Sequence, residues 1–140
     1  GRLKNLFKTS LGKYINPDVI EGKFSESGFI ENIIVVGENQ KYAGAIIIPD
    51  FTFLKTWCQK HEINFTTPQE MLNNKDVKAR FAAEVKKINE NFGDTEKIKR
   101  YELIADEWSV TNGLLTPTLK VKRSIILGKY KDLIDKMYKE

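Results

Sequence analysis

The sequence predicts a small mixed α+β domain, with an N-terminal β-hairpin and a short, mostly antiparallel sheet covered by helices. Two β-branched runs, at residues 29–36 and 42–48, predict strands, and the polar stretch between them predicts an antiparallel connection. These runs show no polar alternation, which is typical of strands buried on both faces. Helices must then cover the sheet, and 140 residues suit a single domain over residues 1–140.

The first elements in the chain are the N-terminal hairpin and a short helix. Residues 3–10 and 13–15 are the two strand candidates, and Gly12 lies in the turn between them. Asn16 is a favoured N-cap residue, and the proline after it is favoured at the first helical position. We therefore expect a helix over residues 17–24.

Three further signals predict helices after the second strand run. Asp50 precedes an apolar helical pattern, and residues 67–70 read Thr-Pro-Gln-Glu, a capping box with proline at the first helical position. A longer helix begins at about Asp76, because apolar residues recur at helical spacing from there. The core-facing stripe of this helix consists of Val77, Phe81, Val85, Ile88 and Phe92.

The remaining elements are a strand, a turn and a C-terminal helix. Apolar residues at positions 101, 103 and 104 predict the strand. Asn112 and Gly113 predict a tight turn, because this pair tolerates positive φ angles. Residues 124–138 predict one amphipathic helix, whose apolar side carries Ile126, Tyr130, Leu133, Ile134 and Met137.

Composition and net charge indicate where the protein is located and what kind of partner it binds. The net charge is +4, from 23 Lys and Arg against 19 Asp and Glu. This excess favours an anionic partner such as nucleic acid, a phosphorylated ligand or an acidic membrane, but the charge alone fits a solvated mixed surface as well. The apolar runs are far shorter than the ~20 residues of a membrane helix, and no signal peptide is visible. Together with the single cysteine, Cys58, these features predict a cytoplasmic protein.

Two common kinds of active site are disfavoured by residue counts. His61 is the single histidine, so a nucleophilic pair with serine or cysteine must use it. Cys58 and His61 lie about one helical turn apart, but a structural zinc site needs four ligands, and we expect no metal site. A buried thiol beside a surface imidazole is the favoured interpretation. No glycine-rich phosphate loop is present in the sequence.

Two segments combine lysines with turn-forming residues, at positions 1–17 and 115–123. The first reads as a basic hairpin, and the second as a basic loop that precedes the last helix. Each segment alone fits solvated lysines that flank a turn.

Together the two segments resemble the signatures of the C-terminal domain of adenylate-forming enzymes, and most closely those of long-chain acyl-CoA synthetases, also called long-chain-fatty-acid–CoA ligases. In that family, an arginine and two lysines lead to a glycine-containing turn, and a proline and an Ile-Glu pair open a helix. The first signature is carried by Gly1-Arg2, Lys4, Leu6-Phe7, Lys8, Gly12, Pro17 and Ile20-Glu21. The second is carried by Leu115-Thr116-Pro117-Thr118-Leu119-Lys120-Val121-Lys122-Arg123, with Ile125, Tyr130, Ile134 and Met137-Tyr138.

The resemblance implies two half-reactions in one active site. A fatty acid carboxylate attacks the α-phosphate of ATP to give an acyl-adenylate and pyrophosphate, and the thiol of coenzyme A then displaces AMP. The small domain acts as a lid that rotates between the two steps. Its main partner is the enzyme's own N-terminal domain, which is expected to carry the acyl tunnel, most of the nucleotide pocket and the ligands of the Mg2+ that accompanies ATP. A peripheral membrane contact of the full-length enzyme is a further expectation.

The resemblance also assigns roles to individual residues. Lys120 matches the family's catalytic lysine, which stabilises negative charge during adenylation. Arg2 matches an arginine near the hinge that contacts the nucleotide around its ribose. Lys8, Gly12 and Tyr14 are expected to line the tunnel for the pantetheine arm of coenzyme A. Lys122 and Arg123 are expected to be surface or helix-start cations, with phosphate steering as an alternative for Arg123.

One departure from the family and several alternatives accompany this assignment. Leu11 stands where many relatives have a glycine beside Gly12, which leaves open which of these two positions shapes the turn. Lys120 alone also fits a solvated loop lysine, and Lys8 and Tyr14 also fit ordinary strand residues. The alternatives for the whole chain are a small basic nucleic-acid-binding module and a stand-alone interaction domain with the lid fold.

Overall fold

The computed structural model describes residues 5–139, which form two compact units that divide after Ala105. The first unit holds five strands and four helices within the described residues, and the second holds two helices. The elements of the first unit are β1 (Phe7–Lys8), β2 (Tyr14–Ile15), α1 (Pro17–Phe24), β3 (Ile30–Val36), β4 (Gly44–Pro49), α2 (Phe51–Lys60), α3 (Pro68–Asn73), α4 (Lys75–Asn89) and β5 (Arg100–Leu103). The elements of the second unit are α5 (Arg123–Lys129) and α6 (Lys131–Met137). The expectation of one domain over residues 1–140 stays a prediction.

The α+β fold class is confirmed, and β4 is the central strand of a three-stranded sheet in the order β3-β4-β5. Strands β3 and β4 pair antiparallel, from Ile30 opposite Pro49 to Val36 opposite Gly44, as the two β-branched runs predict. All six residues of β4 are buried, so the absence of polar alternation did indicate burial on both faces. Strand β5 pairs with β4 in the parallel sense, a pairing that the sequence pattern did not reveal.

The parallel pair depends on a crossover and on one asparagine. Helices α2, α3 and α4 carry the chain from β4 back to the start of β5, because parallel neighbours cannot be joined by a tight turn. Asn89 then aligns the returning chain: its amide nitrogen donates to Ile98 O and its amide oxygen accepts from Ile98 N, both at 2.9 Å. The Asn89 side chain thus satisfies the backbone N–H and C=O of Ile98, as a neighbouring strand would, just before β5 begins.

The helix starts follow the predicted capping residues. The side chains of Asn16 and Asp50 accept hydrogen bonds from the first turns of α1 and α2, at 3.2 Å and 3.1 Å. Thr67 Oγ1 accepts from Glu70 N at 3.1 Å at the start of α3, while the Glu70 carboxylate binds the hydroxyl of Thr66. Each cap satisfies amide groups that have no partner inside the helix.

The core of the first unit lies where α1 and α4 contact the sheet. Val77, Phe81, Val85 and Ile88 of the predicted stripe are buried in α4, whereas Phe92 lies beyond the end of the helix and is half-buried. The ring of Phe81 meets that of Phe29 edge-on at 5.5 Å. Ile20 and Phe24 of α1 are fully buried. No helix within residues 5–139 is long and apolar enough to cross a membrane.

The prediction of one C-terminal helix is wrong, because the chain forms two helices that meet at Tyr130. Tyr130 has φ −105° and ψ 19°, outside the helical range, and serves as the cap between α5 and α6. Its side chain is buried and hydrogen-bonded, as described below, and Gly128 two residues earlier weakens the helix locally. The anchored tyrosine therefore interrupts an otherwise helical pattern.

Candidate functional site

The β1–β2 hairpin is closed by a tight turn that begins at Thr9. Thr9 N donates to Lys13 O at 2.9 Å, and Gly12 N donates to Thr9 O at 3.0 Å. Lys13 N also donates to the Thr9 hydroxyl at 3.2 Å. Gly12 has φ +80°, so glycine occupies the left-handed position that ends this three-residue loop. The positive φ therefore belongs to Gly12, and Leu11 precedes it with 68% of its surface exposed.

Lys8, Gly12 and Tyr14 lie together on this hairpin. Lys8 and Tyr14 are opposite each other in the antiparallel pair, and Lys8 Nζ lies 5.8 Å from the centroid of the Tyr14 ring. Tyr14 is 68% exposed, and a Cβ built on Gly12 meets no described atom within 4 Å. The hairpin thus presents a cation, an aromatic face and an open turn to solvent.

The hairpin is attached to the connection between β3 and β4. Ser10 N donates to Gln40 O at 2.8 Å, and Asn39 N donates to Lys8 O at 3.1 Å. These bonds lie on either side of Thr9, so they hold the start of the hairpin turn against the β3–β4 connection. Because Lys8 is bonded through its main chain, its ammonium group stays available at the surface.

In the second unit, Lys120 follows a turn of the same kind. Thr116 N donates to Lys120 O at 2.8 Å, and Leu119 N donates to Thr116 O at 2.7 Å. Lys120 N donates to the Thr116 hydroxyl at 3.1 Å. Pro117 occupies the second turn position, where proline is favoured, and Leu119 takes the left-handed position with φ 66°. Lys120 is exposed.

Backbone contacts between the residues that flank the Lys120 turn fix the base of the turn. Leu115 and Val121 form an antiparallel bridge, and Lys122 N donates to Leu114 O at 2.9 Å. Leu114 and Leu115 are buried, and α5 begins at Arg123 immediately after this ladder. The turn is therefore a short hairpin with an anchored base, and its cation stands at the exposed end.

Tyr130 anchors the helices of the second unit through two polar contacts. Its hydroxyl donates to the Asp106 carboxylate at 2.6 Å and accepts from Trp108 Nε1 at 2.9 Å. Burial and then the Asp106 hydrogen bond raise the pKa of Tyr130 to about 12. Both causes favour the neutral phenol, so the hydroxyl remains a donor to the carboxylate at physiological pH.

Tyr130→Phe is expected to destabilise the second unit by about 1–3 kcal/mol, because buried Trp108 Nε1 loses its acceptor. The difference in unfolding free energy between Tyr130→Phe and the parent chain should become smaller at high pH. Tyrosine in the unfolded chain has a pKa of about 10, whereas the pKa of folded Tyr130 is about 12. The stabilisation by the Tyr130 hydroxyl is therefore complete below about pH 10 and is lost as the pH rises towards about 12. Thermal unfolding of both proteins across this range measures the difference.

The matched control is Tyr14→Phe, which removes the hydroxyl of a ring that is 68% exposed. This variant should unfold at the same temperature as the parent chain at neutral pH. A Tyr130→Phe protein whose stability deficit is constant from about pH 8 to about pH 11.5 would contradict the assignment of the shifted pKa.

The interpretation of Cys58 and His61 as a buried thiol beside a surface imidazole agrees with the structure. Cys58 is fully buried, and burial raises the pKa of its thiol. The His61 ring stacks on Trp57 with centroids 4.2 Å apart, and its Nδ1 lies 2.8 Å from Trp57 O. Within residues 5–139, no three His, Cys, Asp or Glu residues come together as they would to hold a metal ion.

The predicted site residues fall into three places. Lys8, Gly12 and Tyr14 share the β1–β2 hairpin, Lys120 ends the turn of the second unit, and Arg2 lies outside the described residues. The sequence analysis assigned no role to the side chains of Thr9 and Thr116 or to the Tyr130 hydroxyl. The threonines carry a readable signal, because Thr9 and Thr116 each stand four residues before a lysine that follows a turn.

Comparison with known proteins identifies the kind of domain that carries these turns. The family model described as "AMP-binding enzyme C-terminal domain" matches residues 5–140. Human long-chain-fatty-acid–CoA ligase 1 is 34% identical over 140 residues, covering 98% of this chain and 20% of the relative. The peroxisomal long chain acyl-CoA synthetase 6 of Arabidopsis thaliana is 30% identical, covering 99% of this chain and 20% of the relative. The chain thus spans about a fifth of the length of these relatives.

Solved structures share the fold at lower sequence identity. The adenylation domain of the carboxylate reductase from Mycobacterium chelonae superimposes with a TM-score of 0.78 at 17% identity, covering 98% of this chain and 20% of that chain. The adenylation domain of the carboxylic acid reductase from Segniliparus rugosus, solved with AMP and a co-purified carboxylic acid, gives 0.74 at 21% identity with the same coverage. With the family match over nearly the whole sequence, these findings establish that the chain belongs to the C-terminal domain family of AMP-binding, adenylate-forming enzymes.

Proposed function

We propose that this chain is the lid of an ATP-dependent long-chain-fatty-acid–CoA ligase. The observation that carries the proposal is the 34% identity to human long-chain-fatty-acid–CoA ligase 1 over 98% of the chain. In this proposal the fatty acid is first adenylated by ATP, and coenzyme A then displaces AMP to give the thioester. The nucleic-acid-binding and stand-alone alternatives receive no support from the family match.

Lys120 is the proposed cation of the adenylation step. A single ammonium group can approach both the substrate carboxylate and the α-phosphoryl oxygens as negative charge develops. The anchored turn supports this role, because a fixed Lys120 backbone limits the positions that the ammonium group must search before the charge forms. Arg2 is proposed to contact the nucleotide, in accord with the family pattern, and Arg123 to remain a helix-start cation.

The β1–β2 hairpin is the proposed contact for coenzyme A. Gly12 leaves the turn open for a close approach of the pantetheine arm, and Lys8 and Tyr14 present a cation and a ring beside it. Mg2+ is proposed to accompany ATP, with ligands mostly from the N-terminal domain of the full-length enzyme. The cytoplasmic location and the peripheral membrane contact of the full-length enzyme stay predictions.

The test compares the full-length enzyme with the 140-residue chain. The enzyme should release AMP and form acyl-CoA from a long-chain fatty acid, ATP and coenzyme A. The chain alone should give no exchange of pyrophosphate into ATP, because the phosphate loop and acyl tunnel are expected elsewhere in the enzyme. Exchange by the chain alone, or a full-length protein inactive on a panel of medium- to very-long-chain fatty acids, would contradict the proposal.

A further inference from the structure

The chain contains the same turn twice, once in each unit. In both copies a threonine amide donates to the carbonyl of a lysine four residues later, at 2.9 Å from Thr9 to Lys13 and at 2.8 Å from Thr116 to Lys120. In both copies the lysine amide donates back to the threonine hydroxyl, at 3.2 Å and 3.1 Å. Both place a residue with positive φ directly before the lysine.

The threonine hydroxyl is the side-chain atom that connects the start of each turn to its lysine. In the second unit, Thr116 contributes its amide, its carbonyl and its hydroxyl to bonds that close the turn. Thr118 adds a further contact, since its hydroxyl lies 3.1 Å from Thr116 Oγ1. This contact restricts the rotation of the Thr116 side chain and keeps its oxygen at the Lys120 amide.

The backbone of Lys120 needs this support because the residue before it is strained. Leu119 has φ 66° and 67% of its surface exposed, so little packing holds it in the left-handed region. The equivalent position in the first unit is occupied by Gly12, for which this conformation is unstrained. Without the hydroxyl contact, the Lys120 turn can relax, and the position from which the ammonium group extends then changes.

From these contacts we propose that Thr116 is a positioning residue for Lys120: its hydroxyl holds the lysine backbone so that the ammonium group is ready for adenylation. This inference rests on the proposed role of Lys120 in the ligase reaction. It identifies the Thr116 hydroxyl oxygen as the atom that sets the position of Lys120. Thr116 itself need not touch any substrate.

The test uses Thr116→Val and Thr116→Ser in the full-length enzyme. Valine keeps the shape and removes the acceptor, so pyrophosphate exchange should fall about ten-fold, the rate equivalent of one hydrogen bond. Serine keeps the hydroxyl and should restore most of the rate. Thioester formation from supplied acyl-adenylate should be unchanged in both variants, and Thr116→Ala serves if the valine protein does not fold.

Two controls separate positioning from general destabilisation. Thr9→Val removes the equivalent bond in the other turn and should leave pyrophosphate exchange at the parental rate. In a Lys120→Ala background, Thr116→Val should cause no further loss of exchange, because a positioning residue acts through the lysine.

The outcomes distinguish this inference from the proposed function. If Lys120→Ala lowers exchange and Thr116→Val does not, the inference fails while the role of Lys120 stands. An equal loss in both half-reactions, a full ten-fold loss in the Lys120→Ala background, or no rescue by serine would each overturn positioning. If Lys120→Ala leaves exchange intact, the role of Lys120 fails, and the inference fails with it.

Discussion

Lys120→Ala in the full-length enzyme is expected to slow adenylation by ~10²–10³-fold, the usual cost of removing one preorganised charge-stabilising group. Lys120 is exposed on a hairpin with an anchored base. In the proposed role, its charge is needed only while the α-phosphate is attacked. Thioester formation from supplied acyl-adenylate should therefore continue at the parental rate. Pyrophosphate exchange measures the first half-reaction, and acyl-CoA formation from the adenylate measures the second.

Lys13→Ala is the matched control for the loss of Lys120. Lys13 is exposed, has the same charge and follows the same kind of turn. If adenylation depended on the net charge of the domain, both variants should slow pyrophosphate exchange alike. We expect exchange to fall only in Lys120→Ala, and equal losses in its two half-reactions would show that Lys120 acts on stability or docking instead.

Local signals account for the parts of the fold that could be predicted from the sequence. Asn16, Asp50 and Thr67 cap helices because each side chain reaches an amide two or three residues away. The pairing of β3 with β4 was likewise predictable, since a short polar connection joins two β-branched runs. In these cases the deciding contact lies within the segment that carries the signal.

Long-range contacts explain what the sequence pattern did not reveal. Just before β5, which pairs in the parallel sense, the Asn89 side chain binds the backbone of Ile98. At the break between α5 and α6, Tyr130 is bound by Asp106, 24 positions earlier in the chain. Helical periodicity cannot report such a partner, so the apolar pattern suggested one continuous helix.

The roles of the candidate site residues stay predictions, and the geometry around them was predictable only in part. The family resemblance placed Lys120, Lys8, Gly12 and Tyr14 in basic turns, and the structure gives those turns their hydrogen bonds. The hydroxyl of Thr116 was missed because a threonine in a turn has many local partners available to it. Only the distances show that its oxygen faces the amide of the lysine.

Gly12→Trp is expected to give the opposite phenotype to Lys120→Ala. Gly12 has φ +80°, and a Cβ built on it meets no described atom within 4 Å, so the side chain can leave the backbone without a clash at its first atom. Its main folding cost is backbone strain of about 1–2 kcal/mol, and Leu119 shows that a residue with a Cβ can occupy the equivalent position in this chain. The protein should therefore fold.

The indole ring of Gly12→Trp should obstruct the approach of the pantetheine arm to the hairpin. Misplacing the coenzyme A thiol by even about 1 Å can cost about 10²-fold in rate, so thioester formation should slow by about that factor. Adenylation should continue, since Lys120 and its turn are unchanged. Acyl-adenylate should then accumulate during turnover, which quenched-flow sampling measures directly.

Gly12→Ala controls for backbone strain in the Gly12→Trp experiment, because it imposes the same φ without the bulk. It should lower stability to a similar degree and leave thioester formation within about three-fold of the parent, as a small strain leaves the route open. If Gly12→Ala slows thioester formation as much as Gly12→Trp does, the rate depends on the backbone conformation of the turn and not on the open space beside it. If a folded Gly12→Trp enzyme loses pyrophosphate exchange, the hairpin serves adenylation, and its assignment to the coenzyme A step is wrong.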